Sequence, residues 1–550
     1  MKLRFGSQYF VIVLLIVILY GLSYSRIVSN FRVAPPDRYY WGAVNYPIDT
    51  VGNLSIIREG YNGHWMRYSH YTSVIPSKPV ALKMEYILIG QIARVTRLNP
   101  LVAFYLATFL LSLTLISLTV FLTRQLFTDT RLGLVALILT FFATGISVFL
   151  DSRDIWWRIM SDSMVFQRMT SAMPHYLIGQ ITLLLSLWLL GRAVDTRKLS
   201  LGVAAGATGF VSSWVFLPGM VVMYIAILLF IVLSWVAYGR GKLRGFFWRI
   251  GPLILYLGIS VLPVFYIRYA AQFYDWNTFV NTEKLFPVHL SVFEYLVAVG
   301  MVYPLALVGA LRVIKERIGT SFLGILGAYT IVHPVGVFVL APLFGFNQIR
   351  VFQSIYALAF GILATVGLWA IAQRLRKFPG VLSMKNFYIL SVGVILVSGI
   401  GTYRLSRTYS EACFCLKPGY DYAYPKREVM DAVFWLRDHT GEKDTVLVDT
   451  FGGMLIPAFA GNRVYTSWWV ELIGVPELSS IVIPLDLFYR QNMSSERAMI
   501  FLRQNKIAYV YFGDQERALS PSARDLSYPS LTRVFQSGNT VVYKVNGESR

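Results

Sequence analysis

Runs of about 20 apolar residues recur along most of this chain, and nothing else constrains its fold as strongly. A segment of roughly 18–25 such residues crosses a hydrocarbon core of roughly 30 Å as a helix. Runs of this kind lie near residues 9–24, 99–122, 131–150, 173–194, 200–216, 219–238, 250–270, 291–311, 320–342, 350–373 and 386–404. They predict a mainly α, polytopic helical membrane protein of about eleven spans. The first run lacks a small-residue cleavage site and is expected to be retained. Pro218-Gly219 is expected to split the 200–238 stretch into two short helices or one broken helix. Only 14% of residues are charged, against roughly 25% in soluble chains.

The formal charge is +21, and its distribution decides what it means. From Ser410 onward, 15 basic and 16 acidic residues nearly cancel. The surplus therefore lies between apolar runs, where Lys and Arg orient helices. No basic tail or stripe suits a nucleic-acid duplex, so nucleic acid is excluded as a partner. With Lys2 and Arg4 placed in the cytoplasm, the cationic clusters at 124–131, 192–198, 240–249, 312–317 and 374–385 all fall on that same side. The expected location is the cytoplasmic (inner) membrane, with the C-terminal region outside the cytoplasm. The expected domains are a membrane domain over 1–409, with a large first outer loop at 26–98, and a soluble domain over 410–550.

Carboxylates and aromatic residues gather on the outer side. The loop at 26–98 is too polar to cross a bilayer and too rich in Tyr, Trp and Ile for a disordered linker. Asp49, in Tyr-Pro-Ile-Asp-Thr, is placed to accept a proton from an acceptor hydroxyl or to bind a divalent metal. Its plainer alternative is to cap a helix starting at Thr50. Asp37, in Pro-Pro-Asp, is the rival carboxylate and also a turn residue. Asp151 and Asp154, three apart, are candidates for an acceptor or metal site (Mg²⁺ or Mn²⁺), with Arg153 and Arg158 as alternative partners. His175, after Pro174, is a further candidate there, or simply a helix-end residue. Lys78, Arg168 and Arg350 are the expected phosphate-binding cations; snorkelling to lipid headgroups is the alternative. His333 falls deep in a span, where an ionisable group marks function by default and a hydrogen bond at the Pro334 kink is the plain reading. Cys413 and Cys415 have neither zinc nor disulfide-framework spacing and suit a juxtamembrane turn.

The region after Ser410 reads as a small α/β domain. An amphipathic helix is expected over Lys426–Thr440, a strand over Thr445–Asp449, a helix over Glu496–Lys506 and a strand over Ile507–Phe512. A hairpin pairs Arg533–Gln536 with Thr540–Val545 through Ser537-Gly538-Asn539. Neither a dinucleotide fingerprint nor a phosphate-loop pattern is present.

Together these features resemble the GT-C class of integral-membrane glycosyltransferases, which includes oligosaccharyltransferases, protein O-mannosyltransferases and aminoarabinose transferases. The resemblance rests on the acid of the first outer loop, on Gly63-His64-Trp65 followed by Ser77-Lys78-Pro79 and EYILIG, and on many spans with an extracytoplasmic C-terminal domain. It implies a polyprenyl-phosphate-linked sugar donor, a glycan, lipid or protein acceptor, Asp49 as base or metal-associated acid, and Lys78 as a phosphate contact. Val80 stands where the class has a second proline, and no clear Asp-x-Asp is present. The alternatives are a transporter or flippase, or a non-catalytic component of envelope-polysaccharide assembly.

Overall fold

The structure is a computed structural model and describes residues 5–43, 47–75, 77–143, 145, 173–238, 243–273, 289–316, 319–352, 354–375, 385–397, 400, 423–449, 452–467, 478–519 and 525–546. Each apolar run of the sequence contains a helix among these residues. Seven are long and apolar enough to cross a membrane: Tyr9–Val33, Pro100–Leu126, Pro174–Thr196, Leu217–Val236, Arg249–Ala270, Ser321–Phe344 and Tyr356–Leu375. An eighth candidate is a pair, Val292–Val299 and Val302–Glu316, bent by 88°. Three runs form shorter helices, Thr130–Phe142, Leu199–Val215 and Lys385–Val397. By length, then, the described spans number seven or eight. A 13-residue helix such as Thr130–Phe142 is only about 20 Å long, short of the hydrocarbon thickness. The protein is a multi-pass helical membrane protein with a small C-terminal α/β sheet.

The break near residue 217 differs in detail from expectation. Phe216, at φ −146° and ψ 71°, separates Leu199–Val215 from Leu217–Tyr238. Pro218 and Gly219 lie in the first turn of the second helix. Proline is tolerated there because first-turn N–H groups have no partner within the helix and its fixed φ is already helical. The dipeptide starts a helix and does not break one.

Packing divides the chain into two units. One comprises Met1–Arg26, Ala107–Ile267 and Glu283–Ala412. Its helices approach closely through small residues, as membrane helices do when no water drives them together. A side chain at Gly309 would meet the Leu363 carbonyl at 1.9 Å, and one at Gly367 the Leu305 carbonyl at 2.0 Å.

The other unit comprises Ile27–Leu106, Arg268–Thr282 and Cys413–Arg550. Strands β1 (Thr445–Leu447), β2 (Ile507–Phe512), β3 (Leu531–Ser537) and β4 (Thr540–Val545) form one sheet in the order β1-β2-β4-β3. β1 runs parallel to β2 and the other pairs are antiparallel. The expected hairpin is β3–β4, turned by Gly538 at φ 52°. The amphipathic helix forms over Arg427–His439 and buries Met430, Ala432, Val433 and Leu436. First-loop residues Trp41, Val51, Leu54 and Tyr71 share one core with Val446, Leu455, Phe459 and Val464. Short bridges, Arg38 to Lys426 and Thr72 to Thr466, extend the join.

Within this unit, helices α1 (Pro47–Tyr61) and α2 (Met84–Thr96) carry the first-loop candidates. They cross with almost no space between backbones. A Cβ at Gly90 would lie 2.1 Å from the Ile57 carbonyl, and one at Gly60 2.3 Å from the Ile87 carbonyl. Atoms cannot approach that closely, so Gly90→Ala must pry the helices apart. It is expected to destabilise this unit by about 1–3 kcal/mol, read as a lower midpoint of thermal unfolding in detergent. An unchanged midpoint would show that the crossing tolerates a side chain.

Candidate active site

Helix α1 begins at Pro47, so Asp49 is a first-turn residue and not the cap of a helix starting at Thr50. A carboxylate is favoured there by the partial positive charge of the helix N-terminus. The side chain is exposed, while Thr50 through Ile57, Glu59 and Gly60 are all buried. Asp49 is thus an accessible acid on a helix clamped along most of its length.

One turn further along α1 is Asn53, only 1% exposed. Residues four apart on a helix are neighbours, with Cβ atoms about 5–6 Å apart. The Lys83 ammonium donates a 2.9 Å hydrogen bond to Asn53 Oδ1. Lys83 is the N-cap of α2 and adopts the left-handed conformation, φ 54° and ψ 38°, which any residue with a Cβ resists. Two residues on, Glu85 is buried; burial pushes its carboxyl up to about 7, against the opposing pull of Lys83 and Arg67. The Arg67 side chain is buried too, and its backbone pairs with Val80 through bonds of 3.0 and 3.2 Å. Lys78 is exposed, with its ammonium 4.5 Å from the Phe273 ring centroid.

The remaining candidates fall elsewhere. Asp37 is exposed, 3.7 Å from the Arg38 guanidinium, and its carbonyl accepts from the Arg427 N–H in the seam between the first loop and the C-terminal helix. In the membrane unit, the Arg350 guanidinium donates to Tyr176 Oη at 2.6 Å, and the neighbouring His175 lies in the first turn of Pro174–Thr196. His333 is fully buried and its Nδ1 is 2.9 Å from Tyr295 Oη. Around it stand the rings of Tyr329, Phe352, Tyr356 and Phe360. A short π-helix, Gly336–Leu340, follows Pro334. Asp151, Asp154, Arg168, Cys413 and Cys415 lie outside the described residues.

A second polar cluster went unseen in the sequence. His70 Nδ1 is 3.1 Å from Glu59 Oε1, and His70 Nε2 is 2.9 Å from Glu442 Oε1. The same Glu442 oxygen is 2.6 Å from His64 Nε2. Asn62 donates to the other Glu442 oxygen at 3.2 Å, and the Tyr68 N–H to Glu59 Oε2 at 2.9 Å. Its members are 372 residues apart in the chain, and no local spacing announces such a contact. Among the described residues no group of three His, Cys, Asp or Glu side chains is arranged to hold a metal ion.

No protein-family model matches the sequence, and neither does any curated protein. Solved structures do match. The apo oligosaccharyltransferase of Archaeoglobus fulgidus aligns with a TM-score of 0.54 at 14% identity, over 94% of this chain and 70% of its own. The archaeal oligosaccharyltransferase AglB from Archaeoglobus fulgidus, in complex with an inhibitory peptide and a dolichol-phosphate, gives 0.50 at 13% identity over 90% and 69%. This chain has a GT-C-type fold. ArnT from Cupriavidus metallidurans, bound to undecaprenyl phosphate, aligns at 0.49 with 11% identity over 96% and 97%. The GT-C fold expected from the first loop and the apolar runs is therefore the one observed.

The histidine cluster ties the first loop to the C-terminal domain, and its charge state sets the strength of the tie. Burial disfavours the His70 imidazolium, but Glu59 and Glu442 outweigh it and raise the ring to about 9. Burial raises the Glu442 carboxyl, and the bonds from His70 and His64 overcome that, holding it down at about 2. The His70 contribution is complete below its ordinary 6.5 and disappears as pH rises through about 9. The Glu442 contribution is complete above its ordinary 4.5 and disappears as pH falls through about 2. The unfolding midpoint is expected to decline between pH 6.5 and 9, and His70→Gln should flatten that decline. Equal slopes in the two proteins would contradict the account.

Proposed function

We propose that this protein is a membrane glycosyltransferase that moves a sugar from a polyprenyl-phosphate-linked donor to an acceptor at the outer face of the cytoplasmic membrane. The observation that carries the proposal is Asp49, an exposed carboxylate fixed on a buried helix within a GT-C-type fold. The positive loop clusters support the orientation, with the N-terminus cytoplasmic and the C-terminal domain outside. The dolichol-phosphate and inhibitory peptide named with the archaeal oligosaccharyltransferase support a lipid-phosphate carrier and a separate acceptor.

The chemistry follows from the charges. The acceptor oxygen forms a bond to the anomeric carbon as its proton passes to Asp49. The bond from that carbon to the phosphate oxygen breaks, and its electron pair leaves with the polyprenyl phosphate. The leaving group gains a negative charge and so needs a cation, not a proton. Asp49 must therefore be ionised, and its first-turn position favours that form. No step is assigned to a metal.

Asp49→Asn keeps the shape and removes the base. In nanodiscs supplied with polyprenyl-phosphate-linked hexoses and pentoses, release of polyprenyl phosphate is expected to fall about 100-fold or more, with the unfolding midpoint unchanged. Full transfer by the folded variant would remove Asp49 from this role.

A further inference from the structure

Helix α2 of the first loop has two unlike faces. Glu85, Tyr86, Ile89, Gly90 and Ala93 are buried, and Gly90 lies against α1. On the other side Leu88, Ile92 and Val95 are exposed by 48%, 61% and 83%. Their spacing of four and three residues puts them on one face. Water disfavours such apolar surface, and a helix that faces water carries polar residues there.

The neighbouring segment extends this face. Gln91 Nε2 donates a 2.7 Å hydrogen bond to the His64 carbonyl. The Arg94 guanidinium lies over Gly63, where a Cβ would meet it at 2.5 Å. These two contacts hold Gly63–Met66 along the flank of α2, and there Trp65 and Met66 are exposed as well. Arg94 and Arg97 are exposed at the C-terminal end of the helix, while its one acid, Glu85, is buried.

The chain itself shows what lies opposite. α2 ends at Thr96, and Pro100 opens a helix long and apolar enough to cross a membrane. Four extended residue steps reach at most about 14 Å, so the end of α2 stays close to the bilayer. Arg97, left-handed at φ 59°, turns the chain there, and α2 does not continue into the span. One apolar face, a tryptophan beside it and arginines at its edge are the marks of a helix lying in a membrane interface. We propose that the Leu88–Ile92–Val95 face of α2, with Trp65 and Met66, docks on the phospholipid bilayer. The aliphatic side chains enter the boundary between headgroups and acyl chains, and Arg94 and Arg97 reach headgroup phosphates. Because Gly60 and Gly90 leave no space between α1 and α2, a docked α2 also sets the depth of α1 and of Asp49. The inference concerns where α2 sits, and it stands or falls apart from the chemistry assigned to Asp49.

The test is the depth of nitroxide labels on the full chain in nanodiscs of phosphatidylcholine and phosphatidylglycerol. Leu88→Cys, Ile92→Cys and Val95→Cys are made singly in a chain carrying Cys413→Ser and Cys415→Ser. Accessibility is read with oxygen, which concentrates in lipid, and with a water-soluble nickel complex. Glu496→Cys, on an exposed polar turn of the C-terminal domain, is the water reference. Exposed positions tolerate such changes, so the unfolding midpoint is expected to hold. Labels at Leu88 and Ile92 are expected about 5–10 Å into the boundary between headgroups and acyl chains, with high oxygen and low nickel access. Nickel access equal to that at Glu496 overturns the proposal. Shielding from both oxygen and nickel marks a protein contact and overturns it too.

Discussion

At Gly60 and Gly90 two helix backbones meet with no side chain between them. The candidate site depends on this contact. Because α1 and α2 cannot separate or slide without opening a gap, the start of α2 is held beside the middle of α1. That places the Lys83 ammonium on Asn53 and, through the helical repeat, next to the turn that carries Asp49. A looser crossing would leave a flexible lysine and an exposed acid with no defined relation. The contact also explains how the first loop achieves the rigidity usually provided by regular scaffold elements.

The unit has a second layer of support. The first loop donates Trp41, Val51 and Leu54 to a core completed by Val446, Leu455 and Phe459. It also reaches Glu442 through His64 and His70. An apolar core is indifferent to exact alignment, whereas a chain of carboxylate and imidazole groups tolerates little error. The C-terminal domain therefore acts on the loop as a brace, and the brace weakens in alkali because His70 carries its proton in the folded state.

Much of this was readable from residues alone, for physical reasons. Long, continuous apolar runs fix the membrane helices because a helix satisfies its whole backbone within one segment in lipid. β2 and β4 form over the residues expected, and β3 runs Leu531–Ser537, longer at both ends than the expected Arg533–Gln536. Run length alone did not decide which helices are long enough to cross, since the stretch 200–216 forms the 17-residue helix Leu199–Val215. Lys83 was visible as a charge, but its left-handed backbone and its bond to Asn53 are tertiary facts. The same holds for His70 and Glu442, whose partnership crosses 372 positions. Gly60 and Gly90 were available as a signal: small residues on helices of a polar, aromatic loop hint at a close crossing. Asp37, the rival base, keeps an exposed carboxyl, while its carbonyl is bonded to the Arg427 N–H in the seam.

The central claim is that Asp49, on the helix held by the glycine crossing, faces the donor. Cryo-electron microscopy of the protein in nanodiscs with bound undecaprenyl phosphate tests it most directly. The account predicts phosphate density on the side of α1 that bears Asp49. Phosphate density seated away from Asp49, for example on the Arg350–Tyr176 pair alone, would contradict it.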